Sequence, residues 1–589
     1  MLKKIPVFFL IFLFAFFCEA ETPEELAVFS DEAVAAENWE KAVGTLQSGI
    51  KQYPDNDFLL LKLGIIYYSK ELYKPAYKIF KKGLSLNKNN TELLFYASAA
   101  AAALNKNEEA LQYIKLYLSY IPDDRFAASN YGWLCFKCHK AREGIDYCLK
   151  NIDLYGAHTS VYNSLGTLYS EIFDYKNAKK FYTKAIQLAK SENKNYSASI
   201  YYYNKAILEN QFYNFAAALE DAEEALNMQE RNSSYMMIGE LYERKNEFEH
   251  ALSSYAAAAS IDDTPLSGFN IGNIFLSTGN FEKAERYSES LFNSTNDSWI
   301  SNYGMSVNEF KSEIYKFKQM LYEQKYNFEK AKLTLNLADW FKTFFRKIDY
   351  KLKYKYYDSV YRIYSLKVAK EYKKNNTQFL NDTSHVLHIN SLYYKAFNKK
   401  NDKSLKYLKK AEQIETEFVP QSKGSYTAEK AIIKKDLKML NDGISKMDPE
   451  WEKNTMETLY AEGIKIAKSR SSQFYYLYLQ SLFDINPAAF LQYDIYMPVK
   501  IIVNLPKDKT VKISVKKIAA IIGTSRFIED PNSKFELHIN YSGAVLSFRF
   551  LHKNGRIFFR RNFNIEKLDK INLKKSANVF VKEVFSIKL

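Results

Sequence analysis

Small residues recur in this chain at two fixed places in a 34-residue register, and that recurrence restricts the fold more than any other feature. The first place holds Ser30, Gly64, Ser98, Gly132 and Gly166; the second, twelve residues later, holds Ala42, Ala76, Ala110, Gly144 and Ala178. After a short insertion around Glu192 to Tyr196, three further units follow at a spacing of about 33, with Ala206 and Ala218, Gly239 and Ala251, and Gly272 and Ala284. Bulky residues stand between them: Tyr67, Tyr169 and Tyr242 three after the first place, Phe80, Tyr182 and Tyr255 four after the second. Alternation at three and four spacing predicts paired amphipathic helices that cross closely, the small residues admitting the neighbouring backbone and the rings filling the space beside it. A period of this length marks stacked hairpins, each burying its apolar face on the next.

The residues L60-x2-L63-G64-x2-Y67 followed by A76-x3-F80-x2-G83 resemble the tetratricopeptide repeat, with Pro54 and Pro122 where that family ends its second helix. The resemblance covers residues 23–298 as eight units. It implies a mainly α protein, a right-handed α-solenoid of helical hairpins, with a concave face that binds a peptide or partner protein. The family's carboxylate-binding clamp uses basic and Asn residues on the inner helices; the matching positions here are Ala27 and Asp31, so an acidic chain terminus is not the expected ligand. Carried onto units two to four, the groove positions are Leu61, Ile65, Tyr68, Phe95, Phe126, Trp133 and Phe136. These imply an apolar, aromatic groove suited to a hydrophobic or helical ligand. Helical spacing alone does not say whether so wide an apolar face is wet or covered by the chain itself.

From Trp299 to Phe490 the pattern stays helical but loses the small-residue signature, and residues 299–490 read as degenerate repeats or a cap over the last apolar face. Tyr322 with Phe328 to Ala331 and Ala338 reads as a unit lacking its first small residue, and Leu405, Leu408 and Ala411 as the second helix of another. Beyond Pro498 the period changes to alternation. Val499 to Val503 and runs near Phe535 to Tyr541, Ala544 to Leu551 and Ile557 to Phe563 are expected strands, with helices near Val515 to Ile522 and Ile565 to Phe585. Asn554-Gly555 predicts a type I′ hairpin turn. Residues 498–589 thus form a small α+β domain, whose element order is similar to envelope domains of the TolB N-terminal or CsgG type. This stretch holds 19 Lys and Arg against 7 Asp and Glu, when the whole chain is only +15. Lys516, Lys517, Arg549, Arg556, Arg560 and Arg561 are its expected basic surface, facing an anionic membrane or cell wall. The competing reading is that these are solvated strand edges, where charge prevents aggregation.

Residues 1–20 read as a secretory signal: Lys3 and Lys4, an apolar run of 13 residues from Ile5 to Phe17, and small Ala20 before a cut at Glu21. The run is shorter than the roughly 20 residues a bilayer-spanning helix needs. Cys18 follows Phe17 where a lipidation motif wants a small residue, so cleavage is the expectation over lipidation. A periplasmic or envelope location follows, which argues against nucleic acid as the partner of the basic residues.

Chemistry has one candidate. Cys135-Phe136-Lys137-Cys138-His139 matches the CxxCH signature of covalent haem attachment. It falls on the last turns of a helix that packs within the array, where a haem has no pocket, and no cofactor is expected. A Cys135–Cys148 disulfide is disfavoured because the two lie on opposite sides of the helix crossing. His385 and His388 have no third ligand nearby, and no nucleophile elbow, phosphate loop or zinc motif occurs. The expected function is a non-enzymatic scaffold or adaptor of the bacterial envelope; the alternative is an envelope-assembly factor whose basic C-terminal domain binds anionic lipid or glycan.

Overall fold

The computed structural model describes residues 21–262, 265–293, 307–334, 336–374, 401–469, 472–505, 518, 521–522 and 527–585. The chain divides into two compact units, residues 1–208 and 209–589. It is mainly helical, a repeat array of hairpins followed by a small sheet.

Eight hairpins run from Pro23 to Asn293, beginning with Pro23–Ala35 and Trp39–Gln52 and ending with Pro265–Ser277 and Phe281–Asn293. Their starts are locally encoded. Thr22 and Glu25 form a capping box around Pro23, and Asn38, Asn56, Asn90 and Asp124 each accept a backbone N–H of the first turn. Each hairpin bends through one residue with left-handed backbone: Glu37, Glu71, Asn105, His139, Phe173, Tyr213, Asn246 and Gly279.

The two small positions face each other across the hairpin. Ser30 Oγ donates to the Ala42 carbonyl (3.2 Å) and Ser98 Oγ to the Ala110 carbonyl (2.9 Å). At three of the glycines in the first position a ring from the second helix lies over it: Phe80 on Gly64, Tyr182 on Gly166, Tyr255 on Gly239; Gly132 meets Cys148 instead. A Cβ on Gly166 or Gly239 would stand 2.5 Å from ring carbon. Size is therefore matched within these hairpins. Sixteen residues after the serines stand only Leu46 and Ile114, both buried.

Helices beyond the eight hairpins, all in the second unit, are α1 Val307–Ala331, α2 Leu337–Lys374, α3 Asn401–Phe418, α4 Lys423–Lys434, α5 Leu437–Ile444, α6 Lys453–Ser469 and α7 Phe474–Ile485. The expected repeat unit around Tyr322 and Ala338 is not one. Those residues lie on α1 and α2, 25 and 38 residues long, which pair through tyrosines: Tyr322 stacks on Tyr357 (5.5 Å) and Tyr315 on Tyr364 (5.2 Å). Rings line that seam where the hairpins carry small residues. Leu408 and Ala411 do lie buried on α3, against Tyr426.

The region read as having lost its small residues contains two further hairpins. In α4/α5, Gly443 lies against the Ala428 backbone and Lys435 takes the left-handed turn position; in α6/α7, a Cβ on Gly463 would meet the Tyr478 ring at 2.8 Å. Spacing between these glycines departs from 34, which hides them from a periodic search.

The sheet comprises β1 Met497–Asn504, β2 Phe527–Glu529, β3 Phe535–Ser542, β4 Val545–His552 and β5 Ile557–Asn564, in the order β2-β1-β3-β4-β5. The short strand β2 has no counterpart in the sequence expectations. Both β2 and β3 run parallel to β1, on its opposite edges, and the chain passes between them pinned by Asp530 N–H to the Val499 carbonyl (2.9 Å) and Ser533 Oγ to the Pro498 carbonyl (2.7 Å). The type I′ turn occurs at Gly543-Ala544, both with positive φ, and not at Asn554-Gly555. There only Gly555 has positive φ, and the His552 carbonyl accepts its N–H, giving a three-residue loop with a bulge beside Leu551. The final helix α8 is Lys570–Val584. The sheet shares one core with the helices before it: Phe483 contacts Phe550 (5.2 Å) and Phe490 contacts Phe585 (5.3 Å). Residues 498–589 therefore do not close a core of their own, because the sheet's aromatic face is completed by rings from α7 and the turn after it.

Candidate functional site

Hairpins two to four bring several of the expected groove residues into one aromatic strip. Their first helices are Asp57–Ser69, Thr91–Ala103 and Arg125–Lys137. Tyr68 touches Tyr73 and Tyr96, with ring centroids 5.4 and 6.2 Å apart; Phe95 touches Tyr96 (5.6 Å), Tyr117 (5.5 Å) and Phe126 (6.3 Å). The contacts form an unbroken chain from Tyr73 to Phe126. Phe126 is 59% exposed, and Trp133, two turns along the same helix face, is 42% exposed with the Lys137 ammonium 5.4 Å from a ring centroid. Ile65 and Phe136 are half-buried against the core behind the strip.

Leu61 is a correction. It is 2% exposed and packs in the core with Leu93, Leu94 and Ala97. Its counterpart one period on is Phe95, whose longer side chain emerges half-buried, whereas leucine is short enough to be covered by the neighbouring hairpin. Tyr73, Tyr96 and Tyr117, which link the strip, are absent from the sequence expectations because Tyr73 and Tyr117 lie on second helices and Tyr96 lies on a first helix outside the carried-over positions.

Burial raises the Tyr68 phenol above its ordinary value, so the strip presents neutral rings and weak hydroxyl donors. Such a surface grips apolar and aromatic side chains and offers no nucleophile or base. Among the described residues, no group of three or more His, Cys, Asp or Glu is placed to hold a metal ion.

The CxxCH residues are built into packing. Cys135 is fully buried, its Cβ at the point where Gly144 lacks one, and burial pushes its thiol up to about 12; Cys138 is pushed up to about 11. His139 is the left-handed turn residue, and its Nδ1 lies 2.8 Å from Glu171 Oε1. Neither a thiolate nor a free imidazole is presented. Cys135 and Cys148 are both free. His385 and His388 lie outside the described residues.

The expected basic surface is not one patch. Arg556 forks onto Asp484 (2.9 Å to Oδ1) and Arg561 reaches Glu583 (3.3 Å), both within the chain. Arg549 and Arg560 stand opposite each other across β4 and β5, on the face that does not carry Phe548 and Phe550. Sheet alternation distributes consecutive basic residues to opposite faces. Lys516 and Lys517 lie outside the described residues.

In the second unit a cleft of about 660 Å³ separates α6 and α7 from β2, lined by Tyr475, Tyr476, Tyr496, Ile528, Glu529 and Asp530 among others. The Tyr476 hydroxyl donates to Asp530 Oδ2 at 2.6 Å. Nearby, the buried carboxyl of Glu457 on α6 accepts from Asn486 (2.9 Å) and from the turn residue Asn246 (3.3 Å), and desolvation pushes it up to about 7. These contacts tie α6 and α7 to the turns of the seventh hairpin and, through Asn486 to the Ser277 carbonyl, of the eighth. No described helix is long and apolar enough to cross a membrane.

With that geometry in hand, comparison with known proteins is informative. A tetratricopeptide-repeat family model matches residues 159–192 and 233–265, the fifth and seventh hairpins. A tetratricopeptide-repeat-containing protein of Methanocaldococcus jannaschii is 22% identical over 273 residues, 43% of this chain and 46% of its own length, so the chain spans about half of that relative. A tetratricopeptide-repeat protein from Parabacteroides merdae aligns at 18% identity with a TM-score of 0.39, covering 44% of this chain and 100% of that one. MamA of Desulfovibrio magneticus aligns at 21% identity with a TM-score of 0.28, covering 29% and 98%. The fifth and seventh hairpins thus match tetratricopeptide repeats, and the array they belong to is similar to tetratricopeptide-repeat proteins.

Proposed function

We propose that this protein is a non-enzymatic scaffold of the bacterial cell envelope that holds a protein partner along the aromatic strip of hairpins two to four. The observation that carries the proposal is the continuous ring contact from Tyr73 to Phe126, ending in two rings, Phe126 and Trp133, left exposed on one helix face. Exposed aromatics clustered beside a rigid, well-packed support have the composition of binding hot spots. The absence of an acidic-terminus clamp at Ala27 and Asp31 favours an apolar or helical segment as the ligand; Asp31 instead pairs with Lys62 at 2.7 Å. The leader-like residues 1–20 favour export, with a mature start at Glu21.

The test uses the full chain. Cross-linking from the envelope fraction, comparing the native protein with Phe126→Ser/Trp133→Ser, is expected to lose a defined partner in the variant while helical content and melting temperature hold. An identical set of cross-linked proteins would refute the strip. N-terminal sequencing of the purified protein checks export: a start at Glu21 is expected, and an intact Met1 refutes it.

A further inference from the structure

We infer that α2 is a membrane-docking element that lays one apolar face along the headgroup region of an anionic phospholipid bilayer. The inference is independent of the aromatic strip. On α2, Leu337, Trp340, Phe341, Phe344, Phe345, Ile348, Leu352, Tyr356 and Ile363 are each between 42% and 70% exposed. At 3.6 residues per turn they fall within about 160° of the helix circumference and extend for about 40 Å. The opposite side is occupied: Thr343 is buried, Tyr350 and Tyr357 contact Tyr322 of α1, and Arg346 reaches Glu329 (3.5 Å). The exposed face is thus the outer ridge of a helix already seated along its back.

Charge selects the occupant. The sequence of α2 holds eleven Lys and Arg against four Asp and Glu. Lys342 and Lys355 are exposed beside or within the apolar stripe, where long stems can lie along apolar surface with the ammonium groups at headgroup level, while Lys351 and Lys353 turn toward Tyr326 and Tyr322 of α1. A second copy of this chain would bring the same positive charge against itself. An acidic protein would need an apolar channel some 40 Å long with anionic rims; a bilayer with anionic lipid supplies both without a preformed groove. Trp and Phe concentrated on the apolar side suit that interface. The helix carries too many charges to span, so it lies in the plane.

The test is flotation of the full-length protein with vesicles of phosphatidylglycerol and phosphatidylcholine in equal parts, against phosphatidylcholine alone. Binding to the anionic vesicles is expected, falling about tenfold or more both in high salt and in Phe341→Ser/Phe345→Ser/Leu352→Ser. Because those side chains are exposed, the melting temperature should not move. Arg549→Glu/Arg560→Glu is the control and should float like the native protein. The inference is overturned if the native protein does not float, if the triple variant floats undiminished, if only the arginine control loses binding, or if α2 instead captures an acidic protein and ignores vesicles.

Discussion

The hairpins of the array and the long pair α1/α2 are both antiparallel helix pairs, yet they close their apolar surface in opposite ways. In the hairpins the helices approach on Gly, Ala and Ser, a ring or hydroxyl locks the crossing, and repetition supplies the next hairpin as cover. In α1/α2 tyrosines fill the seam, the helices are about twice as long, and a broad aromatic face is left open. Stacked hairpins cover most of one another's apolar surface and leave rings such as Phe126 and Trp133 outside. The ring-lined seam occupies one face of α2 and leaves its other face exposed, while α1 buries Phe310, Phe317 and Leu321 against the array.

The comparison breaks most directly at a glycine. Gly166→Val places branched carbon where even a Cβ would sit 2.5 Å from Tyr182, and should cost 3 kcal/mol or more, roughly the upper end of overpacking effects, read as a fall in the denaturant midpoint. If stability is unchanged, the crossing is not the locked contact described.

Glu457 tests how the later hairpins are tied on. Its carboxyl is raised from 4.5 to about 7 by burial, and its charge in turn helps hold the Tyr493 phenol above its ordinary value. The folded protein favours the neutral form, so this group's contribution is complete below about pH 4.5 and is lost as the pH rises toward 7. Glu457→Gln keeps an acceptor for Asn486 and removes the titration. It should raise stability at pH 8 by up to the order of 3 kcal/mol and flatten the profile between pH 4.5 and 7, measured by denaturant titration. A variant with an unaltered pH profile contradicts the assignment.

Ser98→Ala removes a buried hydroxyl and leaves the Ala110 carbonyl to its helix. A loss of about 1 kcal/mol is expected, which a thermal melt resolves only with replicate scans. The smallest effect belongs to α2. Phe345→Ser alone, at 62% exposure, should change stability by no more than about 0.5 kcal/mol. A larger loss would mean that the face is covered and the contrast with the hairpins is false.

Much of this was legible from residue order, and the failures have physical causes. The 34-residue register was visible because close crossings demand small residues, and those survive as a periodic mark. The turn positions were invisible, since Glu37, Phe173 and Tyr213 occupy backbone that ordinarily signals itself through Gly or Asn. The α4/α5 and α6/α7 hairpins obey the same packing rule at irregular spacing. The face of α2 escaped because periodicity marks an apolar side without saying what covers it, and because summed charge gave prominence to the C-terminal residues. Leu61 was misplaced by carrying over a position without the size of its side chain. In the sheet, the alternation of strands was legible, but Asn-Gly was credited with the turn that Gly543-Ala544 makes.

The bends of the array have a consequence of their own. Seven of the eight keep a side chain at the left-handed position instead of glycine, so those seven bends each carry a group that the backbone conformation does not require. Several are already engaged, among them His139 with Glu171, Tyr213 with Phe215, and Asn246 with Glu457. Each such bend thus works like a socket, in which a single substitution can rewire what is plugged in without disturbing the helices that hold it.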